Sequence, residues 1–318
     1  MFDSVLVTGG CGFIGANLCR SLASAGVCVT VLDNLSRGSA NLLSGLEIEI
    51  VEGDVRNAGA VATAMDRVQA VVHLAAYGSV VESVASPEEN FQNNVLGTLT
   101  LLQAAAQRKT KVVFASSGGA VIGPAEPPVN EDSPPRPTSP YGASKLCGEA
   151  YCHAFAGSFG LSVVALRFGN VYGPFSAHKK GAVTNFARSL LHDEPIVIFG
   201  DGSATRDFIH VDDICAGICA ALNASIQGAI VLHLATNVET PVRDLAKMMA
   251  VSAGRPNHPI RFEPKRAGEL ERNFATYDRA REVIGFTPKV DLREGLKRTF
   301  DWFAGLDPQV LKAVMTDS

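Results

Sequence analysis

The segment Val5-Leu6-Val7-Thr8-Gly9-Gly10-Cys11-Gly12-Phe13-Ile14-Gly15 constrains this chain more than any other. It sets Gly9, Gly12 and Gly15 three residues apart, between an apolar triplet and a stretch of helical period. Glycines so placed serve a tight strand-to-helix turn, a backbone that can approach a pyrophosphate, and close packing of helix on sheet. The helix that follows offers free N–H groups and the positive end of its dipole to negative charge. A chain that opens this way is expected to build a parallel sheet around a dinucleotide.

Apolar runs at 5–7, 27–32, 48–51, 70–74, 112–114 and 163–166 alternate with helical periods at 13–25, 57–66, 88–107 and 141–157. Strand, helix, strand, helix implies a parallel sheet covered on both faces. The helix beginning near Pro87 repeats apolar residues at Phe91, Val95, Leu99 and Leu102, which predicts one buried face. After residue 174 the pattern loosens, with strands at 196–199, 231–234 and 260–262 among helices at 181–192, 211–223, 240–252 and 291–304. The fold class read from this is α/β. A Rossmann-like doubly wound parallel sheet spans 1–172, with 211–235 packing back onto it, and a smaller α/β C-terminal substrate-binding domain occupies 173–318. The proline-rich stretch 124–140 is expected to be an ordered surface loop.

Composition removes several function classes. With 318 residues, 47% hydrophobic and 19% charged, the chain can bury a large core and is not of the disordered type. Lys and Arg total 28 against 32 Asp and Glu, a net charge of -4 with no long basic run, which excludes a broad nucleic-acid-binding face. No basic stretch precedes the first apolar run, and no apolar run reaches the roughly 18 residues of a membrane span, so a soluble cytoplasmic protein is expected. Seven cysteines, odd in number and without a Cys-x-x-Cys pair, read as buried free thiols, with no metal site.

Asp33 ends the second strand, where a carboxylate accepts hydrogen bonds from an adenosine ribose and repels a 2′-phosphate; NAD is therefore expected over NADP. Asp54 closes the third strand and is a candidate acceptor for the adenine amine with Val55 against the ring, although an ordinary strand-ending Asp fits equally. Leu74, Ala75 and Ala76 leave room for the dinucleotide, while His73 reads as a core residue. Tyr141 and Lys145 lie four apart on one helix face. The ammonium, with a positive nicotinamide ring, is expected to lower the Tyr141 pKa and make the phenol a usable base. Ser116 and Ser117 end a strand, where ligands sit in open α/β sheets.

Thr8 to Gly15, Asp33-Asn34-Leu35-Ser36-Arg37-Gly38, His73-Leu74-Ala75-Ala76, Asn93-Asn94-Val95-Leu96-Gly97-Thr98, Ser116-Ser117-Gly118-Gly119, Tyr141 with Lys145, Arg167-Phe168-Gly169-Asn170-Val171-Tyr172-Gly173-Pro174 and Thr205-Arg206-Asp207-Phe208-Ile209-His210-Val211-Asp212-Asp213 follow one another in order. With them the chain resembles, from about residue 3 to 305, the extended short-chain dehydrogenase/reductase (NAD-dependent epimerase/dehydratase) family, most of all its UDP-glucose 4-epimerase branch. The resemblance implies Tyr141 as base, Lys145 on the nicotinamide ribose and Ser117 on the reacting sugar hydroxyl, with Ser116 as its alternative. It implies NAD held by Gly9, Gly12, Phe13, Ile14, Gly15, Asp33, Asn34, Ser36, Gly38, Asp54, Val55, Leu74, Ala75, Ala76, Asn94, Ser116 and Phe168 together with Tyr141 and Lys145. It implies a UDP-sugar held by Tyr77, Ser117, Asn170, Val183, Arg206, Arg266, Glu269 and Asn273, the two arginines clamping its diphosphate.

The activity implied is C4 epimerisation of a UDP-hexose through a transient 4-keto sugar, by a homodimer. Similar proteins that dehydrate or decarboxylate carry acidic residues where this chain has Gly118 and Gly119, and reductive epimerases carry a Cys after the serine with a paired His. A nucleotide-sugar dehydratase or decarboxylase stays as the alternative, and an NAD-binding regulator without chemistry as a third. Relatives often carry an aromatic residue in place of Ile122. Asn273 falls where a bulky tyrosine goes with simple hexoses and a smaller residue with N-acetylated ones. Lys179 and Lys180 are either solvated or candidates for a uronate carboxylate, and a neutral sugar is favoured over the uronate.

Overall fold

The computed structural model describes residues 2–265 and 270–307. The chain begins β1 (Ser4–Thr8), α1 (Phe13–Ser24), β2 (Cys28–Asp33), β3 (Glu49–Glu52), α2 (Ala58–Ala64), β4 (Ala70–His73), α3 (Val80–Ala85) and α4 (Pro87–Phe91). It continues through α5 (Gly97–Arg108), β5 (Lys111–Ser117), α6 (Gly118–Ile122), α7 (Pro140–Phe159), β6 (Val163–Phe168) and β7 (Asn170–Tyr172). Then follow α8 (Ala182–Leu191), β8 (Ile196–Phe199), β9 (Thr205–Arg206), β10 (Phe208–His210), α9 (Val211–Asn223) and β11 (Ala229–Leu234). Last come β12 (Thr240–Pro241), α10 (Val242–Ser252), β13 (Ile260–Glu263), α11 (Asp278–Ile284) and α12 (Leu292–Ala304).

Seven strands form one sheet in the order β11-β6-β5-β4-β1-β2-β3, and every pairing is parallel. Helices must therefore cover both faces, and the central strands are mostly apolar and buried, whereas the edge strand β3 carries the exposed Glu49 and Glu52. Val5, Val7 and Val29 point towards α1 and α9, while Leu6, Leu32 and Phe114 point towards α2, α5 and α7. The chain leaves β1 for β2 on one side and later reaches β4 on the other. That reversal opens a crevice above the carboxyl ends of β1 and β4. A third core, around Phe186, Leu190, Ile196, Met249, Leu296 and Phe303, joins α8, α10 and α12 beside the sheet.

One expected face is displaced. Gln92–Leu96 is π-helical, and the extra residue in that turn shifts the phase of everything before it. Val95 and Leu102 are buried as the pattern predicts, but Phe91 is 52% exposed. The same turn swings Asn94 inward. Pro140 already begins α7, and the stretch 124–139 before it makes no helix or strand. It is held by a bridge between Val129 and the later segment: the Val129 N–H donates to the Phe274 carbonyl at 3.1 Å and the Thr276 N–H to the Val129 carbonyl at 2.9 Å. All seven cysteines are free, and Cys28 is exposed rather than buried. Among the described residues no helix is long and apolar enough to cross a membrane.

Candidate active site

The crevice holds a cavity walled by Gly9, Gly12, Phe13, Ile14 and Gly15 at one end and by Tyr141, Lys145 and Phe168 at the other. Helix α1 starts at Gly12 with no side-chain cap and no acidic residue in its first turn, so its N–H groups face the cavity unspent. A Cβ on Gly15 would collide with the Gly9 carbonyl and stand 2.6 Å from Gly10 Cα, so the turn admits only glycine there. Asp33 lies along the same wall, buried, its carboxylate accepting the Cys11 N–H and the Leu35 N–H at 2.9 Å each. Asn34, Ser36, Gly38, Val55, Leu74, Ala75 and Ala76 also line it. An uncapped helix end, a glycine cradle and a strand-ending carboxylate together fit a dinucleotide.

Three of the expected contact residues also have protein partners. The Asp54 carboxylate is engaged by Arg56 at 2.8 Å through two nitrogens and by Asn34 at 3.1 Å, which holds it down to about pKa 2. Asn94 is buried and ties the 77 loop to α7: it accepts the Tyr77 N–H at 2.7 Å and donates to Ser144 Oγ at 2.9 Å. Its neighbour Asn93 lines the cavity in its place. Tyr77, expected against the sugar, lines the nucleotide cavity, with the Arg37 guanidinium 4.5 Å from its ring centroid. His73 is buried between Thr8 Oγ1 at 2.7 Å and Thr98 Oγ1 at 3.0 Å, and burial drives its pKa down to about 3.

Helix α7 carries Tyr141 and Lys145. Ser139 caps it, accepting the Gly142 N–H at 3.1 Å, and Pro140 starts its first turn. Lys145 Nζ donates to the Ala115 carbonyl at 2.8 Å and stands 6.0 Å from the Tyr141 ring centroid. Burial lowers the Lys145 pKa to about 8. Burial also raises the Tyr141 pKa to about 12, opposed by a hydrogen bond from the Ser117 hydroxyl. The expected lowering joined Lys145 to a positive nicotinamide ring; within the protein alone desolvation exceeds what the lysine offers at that range.

The two serines separate cleanly. The Ser116 hydroxyl turns into the core and donates to Glu149, whereas Ser117 reaches Tyr141. Glu149 also accepts two bonds from Arg167, at 2.9 and 2.8 Å, in a buried pair. Sequence reasoning missed this pair. Its signal was Glu149 four residues beyond Lys145, a third polar residue on the Tyr141 face of the same helix.

Two cavities continue past Tyr141. One, of about 260 Å³, is lined by Ser117, Gly119, Asn170, Arg206 and Asn273. The other, of about 460 Å³, is lined by Ser117, Asn170, Val183, Arg206 and Lys179. Asn273 sits directly over Gly119, where any Cβ would run into its Nδ2. Arg266 and Glu269 lie outside the described residues. Asp207 is the only carboxylate among the described residues lining either cavity, and its oxygens accept from Thr236 and Asn237.

The chain belongs to the NAD dependent epimerase/dehydratase family, whose model matches residues 5–232. It is an enzyme of the nucleotide-sugar epimerase kind, and its cofactor is NAD. The UDP-glucose 4-epimerase of Mycolicibacterium smegmatis is 38% identical over 307 residues, 94% of this chain and 97% of that one. A crystal structure of the Thermotoga maritima UDP-glucose 4-epimerase with UDP-glucose aligns at TM-score 0.90 and 34% identity, covering 95% of this chain and 98% of that one. The UDP-N-acetylglucosamine 4-epimerase of Methanobrevibacter ruminantium, in complex with UDP-N-acetylmuramic acid, aligns at TM-score 0.90 and 32% identity, with 95% and 98% covered. A dTDP-glucose 4,6-dehydratase from Streptomyces venezuelae also aligns, at TM-score 0.88 and 32% identity over 95% of this chain and 97% of that one, so the scaffold alone does not fix the reaction.

Proposed function

We propose that the chain inverts C4 of a UDP-hexose through a transient 4-keto sugar. The observation that carries this is Tyr141, lining the nucleotide cavity and both substrate-side cavities at once, with Ser117 beside it in the two substrate-side cavities and favouring its phenolate. NAD, when bound, takes a hydride from the sugar carbon and returns it. Tyr141 accepts the C4 hydroxyl proton and later gives it back. Its phenol, raised to about 12 without ligand, comes down when positive charge enters the cavity. Ser117 donates to the phenolate before it takes the proton and to the sugar oxygen as the proton leaves it. Asn170 and Arg206 hold the diphosphate, a task suited to the guanidinium fork, while the sugar turns in the space beside them. Gly9 to Gly15 and Asp33 would hold the cofactor, and Lys145, fixed by the Ala115 carbonyl, would bind its nicotinamide ribose.

A dehydratase or decarboxylase needs a further acid or base at the sugar. Positions 118 and 119 are glycine, and Asp207 is committed to Thr236 and Asn237. A regulator without chemistry has no use for Tyr141, Lys145 and Ser117 converging. The small Asn273 over Gly119 favours a pocket that accepts a plain or 2-acetamido hexose. We read residues 173–318 mainly as the substrate-binding part, with 211–235 returned to the nucleotide-binding part. Val81, Val84, Phe91, Leu96 and Phe159, exposed on neighbouring helices, favour a homodimer, and seven free thiols favour the cytoplasm.

Proton NMR on the purified protein with UDP-glucose, UDP-N-acetylglucosamine and UDP-glucuronate tests this reading. C4 epimers formed in heavy water with no deuterium at C4 or C5 are expected. Deuterium at C5, or a 4-keto product that accumulates, would transfer the protein to the dehydratase alternative.

A further inference from the structure

Segment 173–181 links β7 to α8 and crosses from the substrate side to the nucleotide cavity. It is tied at several points. Ser176 Oγ donates to the Gly173 carbonyl at 2.7 Å, the Lys179 N–H to the Ser176 carbonyl at 2.9 Å, and the Arg188 guanidinium to the Ala177 carbonyl. Ser176 and Ala177 are buried, so the turn fixes which way the next residues point. Lys179 is half-buried rather than solvated. With Phe13 and Ile14 it lines both the nucleotide cavity and the larger substrate-side cavity. Those two residues open α1, the helix whose N-terminus carries no cap.

Charge around Lys179 is unbalanced. Arg37, Lys179 and Lys180 share the neighbourhood of one carboxylate, Glu82. Arg37 takes it with two bonds, at 3.3 and 2.8 Å, and Lys180 Nζ stands 3.9 Å away. Among the described residues Lys179 Nζ has no hydrogen bond or ion pair with a protein group. Burial pushes its ammonium below the ordinary lysine value, Arg37 adds to that, and Glu82 opposes it. A cation kept partly out of water without its own anion is costly unless a ligand supplies one.

We propose that Lys179 is a diphosphate ligand, its ammonium reaching the pyrophosphate of the dinucleotide from one cavity and the diphosphate of the nucleotide sugar from the other. The inference rests on the NAD and UDP-sugar reading above. An ammonium has three donors on a compact charge and can face two anions at once. Two diphosphates repel across a short gap, and a cation between them makes each easier to bind when the other is present. The position beside the α1 N-terminus favours phosphate over the sugar carboxylate considered from sequence.

Calorimetric titration of the full chain, stripped of cofactor, tests this with NAD and UDP as separate titrants. Lys179→Ala is expected to weaken NAD, UDP or both by about 10–100-fold, the range of a charge-assisted hydrogen bond. Lys179→Arg should recover most of the loss, and Lys180→Ala should stay within about twofold of the parent. The arm that falls identifies the source of the phosphate; a loss in both, with UDP tightening NAD only when Lys179 is present, is shared ligation. Unchanged affinity for both nucleotides in a folded Lys179→Ala protein would overturn the proposal, as would an effect confined to turnover of a uronate. If the parent binds NAD and not UDP, the nucleotide-sugar reading fails while the NAD titration still decides Lys179.

Discussion

At the nucleotide end of the cleft the walls are largely backbone. Gly9 to Gly15, Gly38, Gly53 and residues 74–76 come from successive strand ends within the first quarter of the chain, with Asp33 the principal side chain among them. At the substrate end the walls are side chains. Ser117, Tyr141, Asn170, Arg206 and Asn273 arrive from β5, α7, β7, β9 and the segment before α11. Backbone walls demand a spacing of glycines that no neighbour can replace. Side-chain walls can be altered one residue at a time without disturbing the sheet, which is how one frame comes to hold epimerases and dehydratases alike.

That contrast breaks most visibly at Tyr141. Tyr141→Phe should lower turnover by about 10²–10⁴-fold while NAD affinity stays near the parent's. Loss of NAD binding in the variant would mean that the two ends are not separable. Glu149 tests the opposite behaviour, a side chain on which both ends rest. Glu149→Ala leaves Arg167 buried without its partner and should cost about 3–5 kcal/mol in urea unfolding. A change under about 1 kcal/mol would show that water reaches the pair.

Ionisation sharpens the comparison further, because the substrate end titrates and the glycine walls do not. With the phenol raised to about 12, its phenolate, the form that accepts a proton, must stay scarce at lower pH. Tyrosinate absorbance from this residue should be about 1% of its maximum at pH 10, and turnover of the NAD-loaded enzyme should rise with pH through an inflection well below that of the free protein. An unchanged inflection on loading would remove the cofactor's charge from the account. The smallest effect concerns sugar choice. Asn273→Tyr should reduce turnover of an N-acetylated UDP-hexose relative to the plain sugar by about 10–100-fold, read from initial rates on the pair.

The same division explains what could be read from the amino acids alone. Strand and helix alternation, the Gly9-Gly12-Gly15 cradle and Asp33 are local patterns, and local patterns survive in a linear sequence. At Asp54 the sequence left the adenine contact and an ordinary strand-ending role open, and its bonds to Arg56, two residues away, could not be told from spacing. The bonds of Asn94 to the 77 loop and α7 were not legible, because one extra residue in a π turn rotates it inward and periodicity assumes that turns are uniform. The phenol's pKa was not legible for a different reason: the charge of Lys145 is visible in the sequence, whereas the desolvation that opposes it belongs to the packed cavity. Choosing between Ser116 and Ser117 needed Glu149, a residue on another element that accepts from one of the two.

The contact between Gly119 and Asn273 has a consequence for how this pocket can change over time. Position 119 cannot gain even a methyl group while Asn273 stays where it is, and a longer residue at 273 would press harder on the same spot. The two sites are therefore expected to be non-additive in a double-mutant cycle, with the fitness of a substitution at one set by the occupant of the other. A bulkier residue at position 119 requires the Asn273 side chain to turn away or residue 273 to change, so the sugars a descendant can reach depend on the two positions together.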